Sequence, residues 1–320
     1  MDVKKEKELF EINKVNYDST KLKFLGVDGY DVYNCSQPFR WDGKNYIFGR
    51  IEHREEWMRS WVRLFEQTGQ DEWSLVQDSM LYQLEDPYIS VIGDEVVFGG
   101  THVRVQQGRL DTYYGYFYRG KDINNLYYFT TGPDYMKDIR LVELENGKIG
   151  VFSRPRGKDI LEKYGSESMV GFTVIEKLED LTNETVQNAK FIQGLFSKGQ
   201  WGGCNQAFLL DSGKIGVLGH VSYKESEGKQ SVYANMSFVF DPTSAEVYNY
   251  QIIATRNSFP SGPAKKPNLE DCAFTSGMVT RDDGMVDLYS GIGDCEEGKV
   301  TIPYPFEGYG AIVEERYSIR

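Results

Sequence analysis

Short apolar runs that alternate with glycine turns recur along the chain and predict a protein built from β-hairpins. In the segment YQLEDPYISVIGDEVVFGGT (82–101), two apolar strands flank a turn at Gly93-Asp94. Four other segments place a turn glycine before an apolar strand in the same way, and they read WDGKNYIFGR, LENGKIGVFSR, LDSGKIGVLGH and RDDGMVDLYSG. The turn glycines lie about 50 to 70 residues apart, the repeat length expected of propeller blades. The pattern predicts an all-β fold, a five-bladed β-propeller of antiparallel four-stranded sheets.

One domain accounts for the whole chain, residues 1–320, in this interpretation. The length suits a single propeller, and no boundary between hairpins marks a second domain. Residues 1–29 are a charged lead-in followed by a short apolar stretch, and we predict that this segment closes the ring of blades. The charged insert KDILEKYGSES (158–168) is predicted to form a helical turn or a lip over the channel.

The residue seven positions after each turn glycine is predicted to lie at the mouth of the channel. These positions hold Arg50, Gly100, Arg154, His220 and Gly291. In an up-and-down blade the first strand starts at the edge where the second strand ends, so Asp86 in LEDPYI should meet the arginines and the histidine there. Because side chains alternate along a strand, Glu85 is expected to point away from that mouth. The alternative is that basic residues end these strands by chance.

The charge balance restricts the kinds of partner. With a net charge of −12 and an isoelectric point near 4.9, the chain has no broad basic surface for nucleic acid or an anionic membrane. Basic positions that converge in so acidic a chain indicate a local site for an anion or for sugar hydroxyls. No apolar run approaches the roughly 20 residues of a membrane span. The N-terminus MDVKKEKELFEINKV lacks the apolar segment of a secretory signal, so a cytoplasmic location is expected.

The spacing of cysteine and histidine gives no indication of a metal site. The four cysteines contain no C-x-x-C pair and are expected to be reduced and mostly buried thiols. His53 and His102 are not spaced as a set of metal ligands. We therefore expect neither a metal nor an organic cofactor.

The residues near the predicted mouth suit carbohydrate chemistry. Cleavage of a glycosidic bond requires a carboxylic acid that protonates the leaving oxygen, and Asp86 is the best candidate. Arg50 and Arg154 would hold an anion with paired N–H donors, and His220 would add a further donor. Arg140 and Arg156 could supplement them. The candidates for substrate binding are carboxylates and aromatic rings, namely Asp138, Asp271, Asp294, Tyr88 and Trp201.

These segments carry a resemblance to two families. The chain is identified as a member of domain-of-unknown-function family 1861. From about Val32 to Pro305 it also resembles, more distantly, glycoside hydrolase family 130, the five-bladed β-propeller β-mannoside phosphorylases and β-mannosidases. LEDPYI is similar to that family's Glu-Asp-Pro-Arg motif, and four more segments are similar to other motifs of the family: YNCSQPFRWDGKNYIFGR, GKIGVFSRP, GKIGVLGHVSY and DLYSGIGDCEEGKV. Three residues depart from the family pattern, with Tyr88 in place of arginine, Ser153 in place of histidine and Gly219 in place of tyrosine.

The resemblance implies an activity on a β-linked oligosaccharide, with inversion at the anomeric carbon. Asp86 would be the catalytic acid, and Asp294 would contact the substrate sugar. Inorganic phosphate would be the co-substrate, bound by Arg50, Arg154 and His220. One alternative is an inverting hydrolase, whose second carboxylate would come from Asp138, Asp271 or Asp294. Another is a non-catalytic propeller that binds a glycan or a protein.

Overall fold

Strands dominate the computed structural model, which describes residues 2–15, 18–225 and 228–313. In chain order the strands are β1 (Ser19–Lys21), β2 (Lys23–Leu25), β3 (Asp31–Tyr33), β4 (Phe39–Trp41), β5 (Lys44–Glu52), β6 (Trp61–Gln67), β7 (Glu72–Leu75), β8 (Glu85–Ile92), β9 (Glu95–Gln106), β10 (Arg109–Gly120), β11 (Tyr127–Thr131), β12 (Arg140–Glu143), β13 (Ile149–Ser153), β14 (Gly171–Ile175), β15 (Lys190–Phe191), β16 (Gln200–Leu209), β17 (Ile215–Glu225), β18 (Gln230–Phe240), β19 (Val247–Ala254), β20 (Ala273–Thr280), β21 (Met285–Ile292) and β22 (Glu296–Pro303). The α-helices in the described ranges are α1 (Val3–Asn13), α2 (Lys158–Tyr164) and α3 (Asn183–Gln187). Short 3-10 helices lie at Leu178–Asp180, Arg256–Ser258 and Pro267–Leu269. Within these described residues, no helix has the length and apolar character needed to cross a membrane.

The strands form five sheets that are the blades of a propeller. Blade 1 has the order β3-β5-β6-β7-β2, with β4 also paired to β5. Blades 2, 3 and 4 are the meanders β8-β9-β10-β11, β12-β13-β14-β15 and β16-β17-β18-β19, and blade 5 has the order β20-β21-β22-β1. The first strands of neighbouring blades contact one another, β8 with β12, β12 with β16 and β16 with β20, and so surround the central axis. The predicted five-bladed β-propeller is confirmed.

The N-terminal segment completes the outer edges of two blades. β1 pairs antiparallel with β22, with Ser19 opposite Val300 and Lys21 opposite Gly298. β2 pairs parallel with β7 of blade 1. A strand from the start of the chain therefore joins the last blade. Residues 1, 16 and 17 of that segment lie outside the described residues.

The five hairpin turns on which the prediction rests share one backbone conformation. Their glycines all have a positive φ, at Gly43 (78°), Gly93 (63°), Gly147 (78°), Gly213 (76°) and Gly284 (80°). In this left-handed region a Cβ comes too close to the following carbonyl oxygen, so glycine is favoured. Each glycine thus fixes the turn that leads into a blade's second strand, and with it the place of the residue seven positions later.

The hydrophobic core lies between neighbouring blades. Phe48 of blade 1 packs against Phe98 of blade 2 with ring centroids 4.3 Å apart, and Phe152 of blade 3 lies 5.8 Å from Phe240 of blade 4. Aromatic rings contribute large buried areas, so these contacts hold adjacent sheets face to face. The four cysteines are free and buried, as predicted. The insert predicted as a helical turn contains α2.

Replacement of Gly147 tests the contribution of the turn conformation. No atom lies within 4 Å of the position that a Cβ would take there, so strain of the backbone is the main cost. Gly147→Ala should lower the free energy of unfolding by about 1 to 2 kcal/mol. Gly147→Asn should lose less, because asparagine tolerates positive φ better than alanine does. Urea titration measures both variants, and an alanine variant as stable as the wild type would contradict the expectation.

Candidate active site

A cavity of about 310 Å³ opens at the axis of the propeller, at the edge where the first strands begin. Predicted residues from four successive blades meet in its lining, and they are Arg50, Asp86, Arg154 and His220. Two further candidates, Trp201 and Asp294, also line it. The structure therefore brings together one candidate acid, two candidate substrate contacts and three candidate anion ligands from distant parts of the chain.

The carboxylate of Asp86 is held on both of its oxygens. Oδ1 accepts hydrogen bonds from Asn34 Nδ2 at 3.0 Å and from Arg50 Nη1 at 2.8 Å, and Oδ2 accepts one from Lys137 Nζ at 3.1 Å. Burial opposes ionisation here, but Lys137 and Arg50 outweigh it and hold the pKa of Asp86 well below its ordinary value. Asp86 is therefore an oriented carboxylate in the unliganded protein.

A β-bulge brings Glu85 to the same cavity as Asp86. Asp86 has a φ of 49°, and the pairing of β8 with β9 shifts register between Glu85 and Tyr88. Both acidic residues line the cavity, so the expectation that Glu85 points away is wrong. Strict alternation of side chains holds only for a regular strand, and the bulge breaks it. Burial raises the pKa of Glu85 above its ordinary value.

Arg50 is engaged by carboxylates of the protein itself. Its Nε donates to Ser60 Oγ at 2.8 Å, and its Nη1 donates to Asp86. Its Nη2 lies 3.1 Å from Glu85 Oε1 and 3.5 Å from Glu52 Oε2. A guanidinium that is already shared among three carboxylates orients Asp86 and has little capacity left for a bound anion.

Asn34 links two carboxylates of the cavity. Its Nδ2 lies 3.0 Å from Asp86 Oδ1 and 3.5 Å from Asp294 Oδ1. The side chain of Asn34 packs so closely on Gly291 that a Cβ there would lie 1.8 Å from Asn34 Oδ1 and 2.7 Å from the backbone nitrogen of Asn34. The glycine in the blade 5 register position is thus needed for the close approach of Asn34. Burial raises the pKa of Asp294 above its ordinary value.

A buried glutamate, Glu297, forms a hydrogen bond with the backbone next to Asn34. Glu297, opposite Gly291 in the sheet and only 1% exposed, accepts a hydrogen bond on Oε2 from the backbone N–H of Cys35 at 3.2 Å. Burial raises the pKa of Glu297 to about 7, although hydrogen bonds from Ser276 and from the backbone of Cys35 and Asn34 oppose the shift. Glu297 therefore gains its charge at a higher pH than an exposed glutamate does.

Asp138 and Tyr88 lie outside the lining of the cavity, contrary to their predicted role in substrate binding. The carboxylate of Asp138 pairs with Arg154 Nη1 and lies 3.5 Å from Arg140 Nη2. Although burial opposes it, Arg154 is the first of the nearby cations that lower the pKa of Asp138 to about 2. Tyr88 is 2% exposed and lies beneath the Arg140 guanidinium, 4.6 Å from ring centroid to Cζ. These residues orient Arg154 and Arg140 and fill the core.

Asp271 was also predicted to contact the substrate, and the structure places its carboxylate elsewhere. Its Oδ2 lies 2.9 Å from Lys7 Nζ on α1, outside the cavity lining. The following residue, Cys272, lines the cavity instead. No local pattern indicates this pairing, because the partner of Asp271 is a lysine near the other end of the chain.

His220 is buried and neutral. Its Nδ1 lies 2.7 Å from Asn205 Oδ1, and its Nε2 has no hydrogen-bond partner among the described residues. Burial, together with the charge of Arg154, lowers the pKa of His220 well below its ordinary value. The side chain is 0% exposed to solvent and belongs to the cavity lining.

The outer part of the cavity is cationic and aromatic. Seven lysine or arginine side chains and four carboxylates line the cavity of a chain whose net charge is −12. Arg156, Lys224 and Lys266 have no carboxylate partner within the described ranges. Lys266 Nζ lies 4.8 Å from the centroid of the Trp57 ring, and Lys224 Nζ lies 5.6 Å from that of the Trp201 ring. This local excess of positive charge suits an anionic ligand.

Asn34, Lys137 and Asn205 are the residues that the sequence analysis missed. A repeated spacing could have located the two asparagines, because Asp138 precedes Arg154 by 16 residues and Asn205 precedes His220 by 15. Asn34 likewise stands 16 residues before Arg50. Lys137 carries no such signal, since it reaches from the start of blade 3 to a carboxylate of blade 2. No metal-binding cluster of His, Cys, Asp or Glu is formed by the described part of the chain.

Comparisons with known proteins give one family and several similar structures. The model of the family described as protein of unknown function (DUF1861) matches residues 8–308. A mannose phosphorylase from Leishmania mexicana, solved in complex with phosphate ion, is 47% identical over 99% of this chain and 98% of its own, with a TM-score of 0.93. A GDP-Man-dependent mannosyltransferase from Leishmania mexicana is 45% identical over 99% of each chain, with a TM-score of 0.91.

More remote similarity extends to the fold alone. A putative glycoside hydrolase from Parabacteroides distasonis is 14% identical over 85% of this chain and 86% of its own, with a TM-score of 0.57. Among curated proteins no match is found.

The buried Glu297 predicts a dependence of stability on pH. Its pKa rises from 4.5 to about 7 on folding, so the folded state binds the proton more tightly than the unfolded state. The stability contributed by the neutral form is complete below pH 4.5 and is lost as the pH rises through about 7. The loss should be on the order of 3 kcal/mol.

Urea unfolding at pH 5 and pH 8 tests this expectation. Ionisation of Glu297 should make the free energy of unfolding differ between pH 5 and pH 8. Glu297→Gln should remove most of that difference, because the amide does not ionise. Glu307→Gln, at an exposed position, is the matched control and should keep the wild-type dependence. An unchanged pH dependence in the Glu297 variant would contradict the assignment.

Proposed function

The chain belongs to the DUF1861 family, and on that premise we propose that it is a phosphorylase that cleaves a β-linked mannoside with inorganic phosphate. It is a carbohydrate-active enzyme of the glycoside phosphorylase or glycosidase type. The proposal of phosphorolysis rests on one observation: the oriented carboxylate of Asp86 shares a single cavity with Arg154, Arg156 and His220, which can hold an anion.

Asp86 is the proton donor of the proposed reaction. A phosphate oxygen attacks the anomeric carbon, the bond to the leaving oxygen breaks, and the leaving oxygen takes a proton from Asp86, directly or through a sugar hydroxyl. In the direction of synthesis the acceptor hydroxyl returns that proton to Asp86 while phosphate leaves. The carboxylate of the unliganded protein is ready for the synthetic direction. Bound phosphate offsets the positive field of Lys137, raises the pKa of Asp86 and favours the acid form needed for cleavage.

The bound phosphate contacts Arg154, Arg156 and His220 in this proposal. Arg154 is oriented by its ion pair with Asp138, and Arg156 has no carboxylate partner among the described residues. Arg50, which the sequence analysis assigned to phosphate, instead orients Asp86 through a hydrogen bond of 2.8 Å. A guanidinium fork matches two phosphate oxygens, so two arginines suffice to hold the dianion.

The separation of the carboxylates favours phosphorolysis over inverting hydrolysis. An inverting hydrolase leaves about 6.5 to 9.5 Å between its two carboxyl groups for the attacking water. Asp86 Oδ1 and Asp294 Oδ1 lie 3.0 and 3.5 Å from the same nitrogen, Asn34 Nδ2, so these two oxygens are no farther apart than the lower limit of that range. Asp138 and Asp271, the other candidates for the second carboxylate, lie outside the lining.

Turnover with and without phosphate tests the proposed function. The wild type should convert β-linked manno-oligosaccharides to α-mannose 1-phosphate only when phosphate is present, as followed by ³¹P and ¹H NMR. Asp86→Asn should lower the rate by about 100- to 10,000-fold, because the amide cannot transfer the proton. Asp271→Asn is the matched control, since its carboxylate pairs with Lys7 outside the cavity, and it should retain activity.

Other products would identify the alternatives. Release of free mannose at equal rates with and without phosphate would identify a hydrolase. No turnover of any oligosaccharide, with ligand affinity unchanged in Asp86→Asn, would identify a non-catalytic binding propeller and overturn the proposal.

Mannosyl transfer from GDP-mannose is the second candidate function. The mannosyltransferase relative matches the whole chain, and the mouth of the cavity offers groups that suit a nucleoside diphosphate. Trp57 and Trp201 present ring faces, and Lys266 and Lys224 lie against them. A diphosphate would meet these two lysines and Arg156, while Asp86 would again accept the proton of the acceptor hydroxyl.

Removal of the two mouth lysines distinguishes the two candidates. The double variant Lys224→Gln and Lys266→Gln should weaken binding of GDP-mannose by about 10-fold, because each lysine loses its attraction to the diphosphate. The rate of phosphorolysis should fall by a smaller factor, since in this proposal inorganic phosphate binds deeper in the cavity. Lys148→Gln, on the surface of blade 3, is the control. Titration calorimetry measures the affinities, and a wild type that neither binds nor uses GDP-mannose would exclude the second candidate.

A further inference from the structure

We propose that His220 makes the cavity selective for an oxyanion that carries a proton, so that it admits phosphate and arsenate and excludes sulfate. This inference rests on the proposed function, because it concerns the anion that the cavity binds as co-substrate.

The hydrogen bond of His220 determines which ring nitrogen carries the proton. Its Nδ1 lies 2.7 Å from Asn205 Oδ1, and an amide oxygen can only accept a hydrogen bond. Nδ1 therefore carries the hydrogen, and Nε2 of the neutral ring is left with a lone pair and no hydrogen to donate. The sequence analysis treated His220 as a donor to phosphate, and this contact reverses that role.

Nε2 is an acceptor that nothing in the described chain satisfies. The side chain is 0% exposed, and Nε2 is a buried atom without a partner among the described residues. A buried polar atom without a partner is rare in folded proteins and calls for a ligand or a water. His220 lines the cavity that also contains Arg154 and Arg156, so an anion held by the arginines lies within the same enclosure.

The surroundings keep the ring neutral. Phe274 packs 4.6 Å from the ring and Tyr233 lies 6.0 Å away, and both exclude water. The charged groups that act on the ring are the cations Arg154 and Lys137 and the carboxylates Asp138 and Asp86. Burial and Arg154 dominate, and they lower the pKa of His220. The acceptor character of Nε2 is therefore kept at neutral pH.

Phosphate and sulfate differ in whether they can donate a hydrogen bond to Nε2. Near neutral pH both are tetrahedral dianions, but hydrogen phosphate retains one P–OH and sulfate has none. The P–OH can donate to Nε2 while the other oxygens accept from the arginines. Sulfate would place an unprotonated oxygen against the lone pair of Nε2, and a site built for one hydrogen bond strongly rejects a ligand that lacks it.

Anion titration of the full chain tests the inference without any turnover. Isothermal titration calorimetry would compare sodium phosphate, arsenate and sulfate at pH 7.5 and constant ionic strength. Phosphate and arsenate should bind with similar affinity, and sulfate should bind at least about 100-fold more weakly.

Two variants change the hydrogen-bonding character of Nε2 or replace it. Asn205→Asp puts a carboxylate beside Nδ1, which favours the imidazolium and gives Nε2 a hydrogen to donate. The ratio of phosphate to sulfate affinity should then fall by at least about 10-fold. Asn146→Asp, at an exposed turn, is the matched control and should keep the wild-type ratio. If Asn205→Asp fails to fold, His220→Gln gives the second measurement, because its amide N–H can donate to sulfate.

Three results can be distinguished. Selective binding that is lost in Asn205→Asp or His220→Gln supports the inference. Equal binding of phosphate and sulfate by the wild type overturns it, while phosphorolysis by the same protein would still stand. An absence of binding by all three anions overturns both the selectivity and the proposed phosphate site.

Discussion

The need to compensate one buried charge, that of Asp86, organises the site. A carboxylate that is 3% exposed is stable only when several donors surround it. Asn34 and Arg50 come from blade 1 and Lys137 from the start of blade 3, so three parts of the ring must be in place at once. Because the same Asn34 also reaches Asp294 in blade 5, the position of the acid depends on the closure of the propeller.

The acidic residues around the axis fall into two groups, one with a lowered pKa and one with a raised pKa. Asp86 and Asp138 lie beside arginine or lysine and keep a lowered pKa. Asp294 and Glu297 have burial as the leading influence, and their pKa values are raised. A cavity with fixed charges beside acids of raised pKa can both hold an anion and move a proton. This combination suits reversible transfer of a glycosyl group, the type of reaction that a phosphorylase and a nucleotide-dependent transferase share.

Local patterns predicted the fold and part of the site, and local exceptions produced the errors. The turn glycines predicted five hairpins because positive φ is a property of single residues, and the positions seven residues later brought Arg50, Arg154 and His220 into one lining. The rule of alternation failed at Glu85, where a bulge turns two neighbouring side chains to the same cavity. Asp271 and Tyr88 had suitable chemistry but are held by α1 and by the core.

The sequence by itself determined the all-β class, the number of blades, the acidic character of the chain and the candidacy of Asp86. These properties depend on residues that are close together in the chain, where backbone strain and side-chain period act. Only the tertiary structure decided that Arg50 orients the acid, that Asn34 and Lys137 hold it, and that His220 offers a lone pair. Each of these roles depends on a partner from elsewhere in the chain, and the energy of a buried charge or lone pair is set by those partners rather than by its own segment.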